Sequence, residues 1–89
     1  MKNPDFYNAL SENYDDMLGF ENALQKRKDV LSKFIDSKFK NAIDIGCGTG
    51  LDAVSLALNG LKVTGFDTSE QMISKARKNA KKRNLNIRF

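Results

Sequence analysis

Residues 42–50 read Ala-Ile-Asp-Ile-Gly-Cys-Gly-Thr-Gly. It begins as a short apolar segment that contains one acid, Asp44, and it ends in three glycines spaced two apart: Gly46, Gly48 and Gly50. Glycine has no side chain, so it permits positive φ angles and lets the backbone approach a ligand closely. The stretch therefore predicts a strand that ends in a ligand-binding turn, with a helix beginning directly after it.

A second apolar segment, residues 61–66, is followed by Asp67. A carboxylate at the end of such a strand can accept hydrogen bonds from both hydroxyls of a ribose. The glycine spacing departs from the Gly-x-Gly-x-x-Gly of dinucleotide-binding proteins, because Leu51 stands where the third glycine would be. A nicotinamide-binding half-domain is therefore an alternative that the sequence disfavours.

The run Asp-x-Gly-x-Gly-x-Gly from Asp44 to Gly50 resembles motif I of the class I S-adenosylmethionine-dependent methyltransferases. Asp67 and the five residues after it are similar to the segment that follows in that family, and the resemblance extends over roughly residues 5–89. It implies an α/β fold, a Rossmann-like three-layer sandwich. This chain would hold only part of it, as N-terminal helices followed by β-α-β-α-β, truncated within the third strand.

The resemblance also implies S-adenosylmethionine as the cofactor and gives its candidate ligands. The glycine loop would pass beneath the methionine portion, with Asp44 at the ammonium group and Asp67 at the ribose, while Thr68 and Met72 would lie against the adenine. The predicted cofactor-binding residues are Asp44, Gly46, Cys47, Gly48, Thr49, Gly50, Asp67, Thr68, Met72, Tyr14 and Arg27.

Several of these residues have a purely structural alternative. Asp44 could cap the loop, Asp67 could be a turn acid and Met72 could pack in the core. Tyr14 could cover the methionine end of the cofactor or pack between the N-terminal helices. Arg27 lies on the apolar face of its predicted helix, so it could reach the cofactor carboxylate or extend its guanidinium to water.

Hydrophobic periodicity and turn residues give the expected order of elements. A first helix begins at Asn3-Pro4, and Thr68 with Gln71 matches a capping box. The other predicted elements are a helix at about 21–37, a strand at about 41–45, a helix at about 51–59, a strand ending at 67, a helix ending near 84 and a third strand at 85–89. We expect residues 1–40 to form a helical cap and residues 41–89 the first part of the cofactor-binding domain.

At 89 residues, the chain looks too short to catalyse methyl transfer alone. In the family that it resembles, the residues that bind the acceptor and act as a base follow the fourth strand, so we assign no catalytic residue. The expected function is methyl transfer, to a small-molecule acceptor whose site lies outside the chain. The alternative is a catalytically inactive fragment that binds cofactor weakly or associates with a partner, including itself, through an exposed sheet edge.

The net charge of +4 is local, because six of the 15 basic residues fall between residues 75 and 83, where there is no acid. Cations at a helix C-terminus are favoured by the helix dipole. A nucleic-acid partner is the alternative, but no aromatic residues are interleaved with this cluster, so we expect none.

The remaining composition bears on location and on metals. No apolar run approaches the ~18 residues of a membrane helix, so we expect no membrane partner. Cys47 is the one cysteine, which excludes an intramolecular disulfide and favours a cytoplasmic protein. The sequence contains no histidine that could act as a base for this thiol, and we expect no metal site.

Overall fold

A computed structural model of the chain describes residues 19–89. It contains three helices and two strands in the order α1 (Phe20–Ser32), β1 (Asn41–Ile45), α2 (Leu51–Leu58), β2 (Lys62–Phe66) and α3 (Glu70–Lys82). This alternation is the α/β pattern that the sequence predicts. The expected helix start at Asn3-Pro4 and the candidate residue Tyr14 lie outside the described residues.

The two strands are parallel neighbours, with Asn41 opposite Lys62 and Ile45 opposite Phe66. Helix α2 makes the crossover between them, as parallel strands require. Because both strands run in the same direction, their carboxyl ends meet at one edge of the sheet. The register therefore brings the glycine loop after β1 beside the acid that follows β2.

The helices cover one face of the sheet. Val63 packs with Ala53 of α2 in one apolar cluster, while Val54 packs with Leu24 of α1 and Ala80 of α3 in another. On the opposite face, three large apolar side chains are exposed: Ile43 (67%), Ile45 (76%) and Phe66 (51%). Residues 19–89 thus form two of the three layers that the resemblance implies.

Two helix boundaries differ from the sequence predictions. Helix α1 ends at Ser32 rather than near residue 37, because the chain then turns and the Asp36 carboxylate accepts the backbone N–H of Lys38. Thr68 is not the cap of α3. The Asp67 carboxylate accepts the N–H of Ser69 in a local turn, so the helix begins one residue later, with the Ser69 hydroxyl accepting the N–H of Met72.

The expected third strand is reduced to one parallel bridge, between Thr64 of β2 and Arg88. The N–H of Leu85 still donates to Ala80 of α3, so the chain is free of the helix end only at residue 86. Asn84 takes a positive φ of 56° there, which agrees with its predicted role in ending the helix. The Arg88 N–H donates to the Val63 carbonyl and the Arg88 carbonyl accepts the Gly65 N–H, so this segment pairs with β2 through Arg88.

Gly65 in the middle of β2 is required by the ring of Phe89. A Cβ at position 65 would come within 2.8 Å of two ring carbons and 3.2 Å of the Cys47 sulfur. The bare backbone lets the ring pack directly on the strand. Within residues 19–89, no helix is long and apolar enough to cross a membrane.

Candidate cofactor-binding site

The loop of residues 46–50 is bound to the end of β2 by its own backbone. The Cys47 N–H donates to the Phe66 carbonyl at 2.8 Å, and the Gly50 N–H donates to the Cys47 carbonyl at 2.9 Å. Gly50 has a φ of 93°, and a Cβ there would lie 3.2 Å from the Cβ of Ala76 in α3. Only glycine combines this φ with such a close approach to a neighbouring helix.

Asp67 joins the loop to the start of α3. One of its carboxylate oxygens accepts the Gly48 N–H at 2.9 Å, and the other accepts the Ser69 N–H at 2.9 Å. Asp67 therefore has the structural role that the sequence offered as an alternative, because its carboxylate accepts backbone N–H groups of the turn and of the loop. Each oxygen has a second lone pair, so the same carboxylate can also accept ribose hydroxyls. The ribose contact stays a prediction.

Asp44, near the end of β1, has an unsatisfied oxygen. Its Oδ2 is buried and has no hydrogen-bond partner within residues 19–89. Burial raises the pKa of Asp44, the nearby charge of Asp52 raises it further, and a hydrogen bond from the Ala53 backbone offsets part of the rise. An ionised carboxylate in this position gains most from a positively charged donor, and the ammonium of S-adenosylmethionine fits that description.

An open cleft of about 350 Å³ lies beyond the carboxyl ends of the two strands. Its lining residues are Ile45, Gly46, Phe66, Asp67 and Thr68. Small-molecule sites in α/β sheets lie at this edge, and the volume is in the range of ligand pockets. Mostly apolar walls with one carboxylate suit a nucleoside, whose base is flat and whose ribose carries two hydroxyls.

Two further candidates, Cys47 and Thr49, are buried inside the loop. Burial raises the pKa of the Cys47 thiol to about 11, and the charge of Asp44 adds to the rise, so the sulfur is protonated at neutral pH. The thiol contacts the Gly48 carbonyl. This arrangement gives Cys47 a packing role and argues against a nucleophilic one.

Met72 and Arg27 have structural partners. Met72 is buried near the start of α3, which is the packing alternative, and its contact with adenine stays a prediction. Nη1 of Arg27 lies 2.6 Å from the Asp52 carboxylate, and both side chains are nearly half exposed. The cation therefore lies against the first turn of α2, next to the glycine loop, and its contact with the cofactor carboxylate is likewise a prediction.

Sequence reasoning missed Asn79. Its side-chain amide donates to the Thr49 carbonyl at 2.8 Å, across 30 residues of sequence, and the side chain is only 6% exposed. The signal was available, because Asn79 interrupts the apolar face that α3 forms with Met72, Ala76 and Ala80. A buried amide on such a face needs a partner, and the loop supplies one.

The sequence profile of a family described as "Methyltransferase domain" matches residues 42–89, more than half of the chain. The chain belongs to the class I S-adenosylmethionine-dependent methyltransferase family. The match begins inside β1 and contains the glycine loop, Asp67 and α3.

Two curated methyltransferases illustrate the similarity. The ubiquinone biosynthesis O-methyltransferase of Coxiella burnetii (strain RSA 493 / Nine Mile phase I) is 40% identical over 63 residues, which cover 71% of this chain and 27% of that protein. The ribosomal protein L11 methyltransferase of Campylobacter fetus subsp. fetus (strain 82-40) is 40% identical over 58 residues, or 64% of this chain and 21% of that protein. This chain thus spans about a quarter of the length of these relatives, whose names point to different acceptors.

Solved structures agree on the fold. The PH0226 protein of Pyrococcus horikoshii OT3 is 34% identical, with a TM-score of 0.65 over 79% of this chain and 30% of that one. A S-adenosylmethionine-dependent methyltransferase from Clostridium acetobutylicum ATCC 824 superposes over 92% of this chain and 35% of that one, with a TM-score of 0.56. Its identity is 23%, so it supports the fold alone.

Proposed function

We propose that this chain forms the S-adenosylmethionine-binding part of a methyltransferase that acts on a small molecule, with the acceptor site outside residues 1–89. The observation that carries the proposal is the position of Asp67. Its carboxylate is fixed by the Gly48 N–H at the wall of a cleft, where two parallel strands end. Such a site offers an acid, a glycine backbone and a helix start to one adenosyl ligand.

Three groups of this chain would hold the cofactor. Asp67 would accept the ribose hydroxyls, and the buried oxygen of Asp44 would accept the ammonium. Gly50, the N-cap of α2, has no side chain that could accept the first N–H groups of the helix, and the N–H groups of Leu51 and Asp52 would receive the cofactor carboxylate. The Arg27 guanidinium offsets the negative charge of Asp52 in that first turn, which favours an anion there.

S-adenosylmethionine supplies an activated methyl group on a sulfonium sulfur. What these residues contribute is binding and orientation, because the transfer needs close approach and alignment more than it needs an acid or base. In the family that the chain resembles, a general base for the acceptor follows the fourth strand, so we assign none within residues 1–89.

A small-molecule acceptor is supported by the printed name of the Coxiella burnetii relative, an O-methyltransferase of ubiquinone biosynthesis. It also agrees with a division in which residues 1–40 form a helical cap and residues 41–89 begin the cofactor domain. The packing of α1 on α2 and the ion pair between Arg27 and Asp52 support a cap close to the cofactor. We also propose a cytoplasmic location, where the free thiol of Cys47 stays reduced.

Isothermal titration of the 89-residue chain with S-adenosylhomocysteine tests this proposal. We expect saturable one-to-one binding, and we expect Asp67→Asn to weaken it by roughly 2–4 kcal/mol, because charge-assisted hydrogen bonds are lost. Asp36→Asn is the matched control. The Asp36 carboxylate accepts a backbone N–H two residues on, as Asp67 does, but it lies before β1 and away from the cleft. Absence of binding by the unchanged chain, or equal losses in the two variants, would contradict the proposal.

The exposed face of the sheet favours a second candidate, a catalytically inactive fragment that binds cofactor weakly and associates through its sheet. Within residues 19–89 the sheet has the order β1-β2, so one edge of β1 has no neighbouring strand. Ile43 and Ile45 are largely exposed on that strand. Such an edge is a template for pairing with another chain.

A further inference from the structure

Asn79 is a buried polar side chain between α3 and the glycine loop. Its Nδ2 donates to the Thr49 carbonyl at 2.8 Å. Thr49 is itself buried, so its carbonyl is removed from bulk water and depends on a donor from the protein. The Asn79 amide therefore stabilises one particular orientation of the peptide group that joins Thr49 to Gly50.

That peptide group leads directly into α2. When the Thr49 carbonyl is held toward α3, the N–H of Gly50 on the same plane points away from α3, and it donates to Cys47 within the loop. Gly50 in turn accepts the N–H of Val54, the first hydrogen bond of the helix. The direction of the first free N–H groups of α2 follows from the orientation of this one peptide.

Two residues of α3 that are one turn apart, Ala76 and Asn79, contact the glycine loop on the side that faces α3. Ala76 lies under Gly50, where a Cβ would approach its Cβ to 3.2 Å, and Asn79 lies under Thr49. Ala76 supplies the close contact and limits how far the loop can move toward the helix. Asn79 supplies the direction, since a hydrogen bond to a carbonyl has an angular preference that apolar packing lacks.

We infer that Asn79 is a positioning residue of the cofactor site, which orients the Thr49–Gly50 peptide so that the start of α2 can receive the cofactor carboxylate. The inference rests on the proposed function, because it concerns the same site. Asn79 acts through the backbone of the loop and needs no contact with the ligand. Its removal should therefore weaken cofactor binding from a distance.

The first test compares Asn79→Ala with Asn59→Ala by titration with S-adenosylhomocysteine. Asn59 is a matched control, because its Nδ2 also donates to backbone carbonyls, those of Lys28 and Ser55, but at the far end of α2. Both variants lose side-chain to backbone hydrogen bonds, and circular dichroism melts record the change in stability of each. We expect the Kd to rise roughly tenfold or more for Asn79→Ala and to stay within about twofold for Asn59→Ala.

The second test uses the unchanged chain, so it is informative even where Asn79→Ala fails to fold. In ¹H–¹⁵N spectra, saturation with S-adenosylhomocysteine should shift the side-chain amide signals of Asn79 and leave those of Asn59 in place. Binding by the unchanged chain with unmoved Asn79 signals would overturn the inference and leave the proposed function standing, as would equal affinity losses in the two alanine variants. No binding by the unchanged chain would overturn both.

Discussion

The ring of Phe89 occupies the space that a side chain on Gly65 would need, with two ring carbons 2.8 Å from the position of a Cβ. The contact joins the last residue of the chain to the middle of β2. It also places the ring near Gly50, 3.7 Å from the position of a Cβ there, so one aromatic side chain packs behind both the strand and the loop.

We expect Gly65→Ala to lower the free energy of unfolding by about 1–3 kcal/mol, because overpacking forces the ring or the strand to shift. The cost should fall when Phe89 is already alanine. A double-mutant cycle measured by denaturant unfolding gives the coupling between the two positions. Equal costs of Gly65→Ala in the two backgrounds would mean that the ring does not oppose the new methyl group.

Asp44→Asn should stabilise the ligand-free chain near neutral pH and weaken cofactor binding. The pKa of Asp44 is raised above its ordinary value of 3.8, chiefly by burial, so the folded state binds the proton more tightly than the unfolded state. Protonated Asp44 contributes its full share to the free energy of unfolding below the pKa that it has in the unfolded chain. This contribution is lost as the pH rises through the higher pKa that Asp44 has in the folded chain. The difference in unfolding free energy between the two proteins should therefore grow from acidic to neutral pH. A pH-independent difference would contradict this reading of Asp44.

The Cys47 thiol should react slowly. Its raised pKa of about 11 and its burial leave little thiolate at about pH 8, so alkylation by iodoacetamide should be much slower than in the denatured chain. Mass spectrometry of timed samples follows the reaction, and the denaturant-unfolded chain is the control. A native rate close to the unfolded rate would show that the loop opens readily.

The exposed apolar face should promote self-association. Ile43→Thr combined with Ile45→Thr keeps β-branched residues in β1 but makes its exposed face polar, so sedimentation velocity should show less association than in the unchanged chain. Phe39→Thr is the control, because Phe39 is also exposed but lies outside both strands. If the unchanged chain stays monomeric at all concentrations tested, the prediction that this face promotes self-association is wrong.

Ser69→Ala should destabilise the chain by about 1 kcal/mol, since the hydroxyl of Ser69 accepts the N–H of Met72 at the start of α3. Thr68→Ala should cost much less, because Thr68 is exposed and is not the cap. Thermal melts of the two variants separate the capping position that the structure gives from the one that the sequence pattern favours. If Thr68→Ala lowers the melting temperature more than Ser69→Ala does, Thr68 is the cap of α3, as the sequence predicts.

Local patterns predicted the elements that depend on local chemistry. The apolar run before Gly46 and the run before Asp67 are both strands, and the glycine loop between β1 and α2 has the expected shape because its sequence allows few others. The position of Asp67 beside this loop followed from parallel pairing alone. These features carry the family resemblance, and the match to the methyltransferase family confirms it.

Tertiary packing decided what the sequence patterns missed. The need for glycine at position 65 depends on Phe89, which is 24 residues away, and the role of Asn79 depends on a loop 30 residues earlier. The cap of α3 lies at Ser69 rather than Thr68 because the Asp67 carboxylate, which the sequence offered as a ligand or a turn acid, accepts the Ser69 N–H. Periodicity within one element contains no information about such contacts between elements.

The two hydrogen bonds that Asp67 accepts affect both the rate of ligand association and the entropy lost on binding. Since the Gly48 and Ser69 N–H groups already hold the carboxylate in one rotamer, the loss of side-chain entropy occurs when the chain folds and not when the ligand arrives. The site is preorganised in this respect. Binding of a nucleoside then requires no change of rotamer at Asp67, so the association rate should be set by diffusion of the ligand into the cleft.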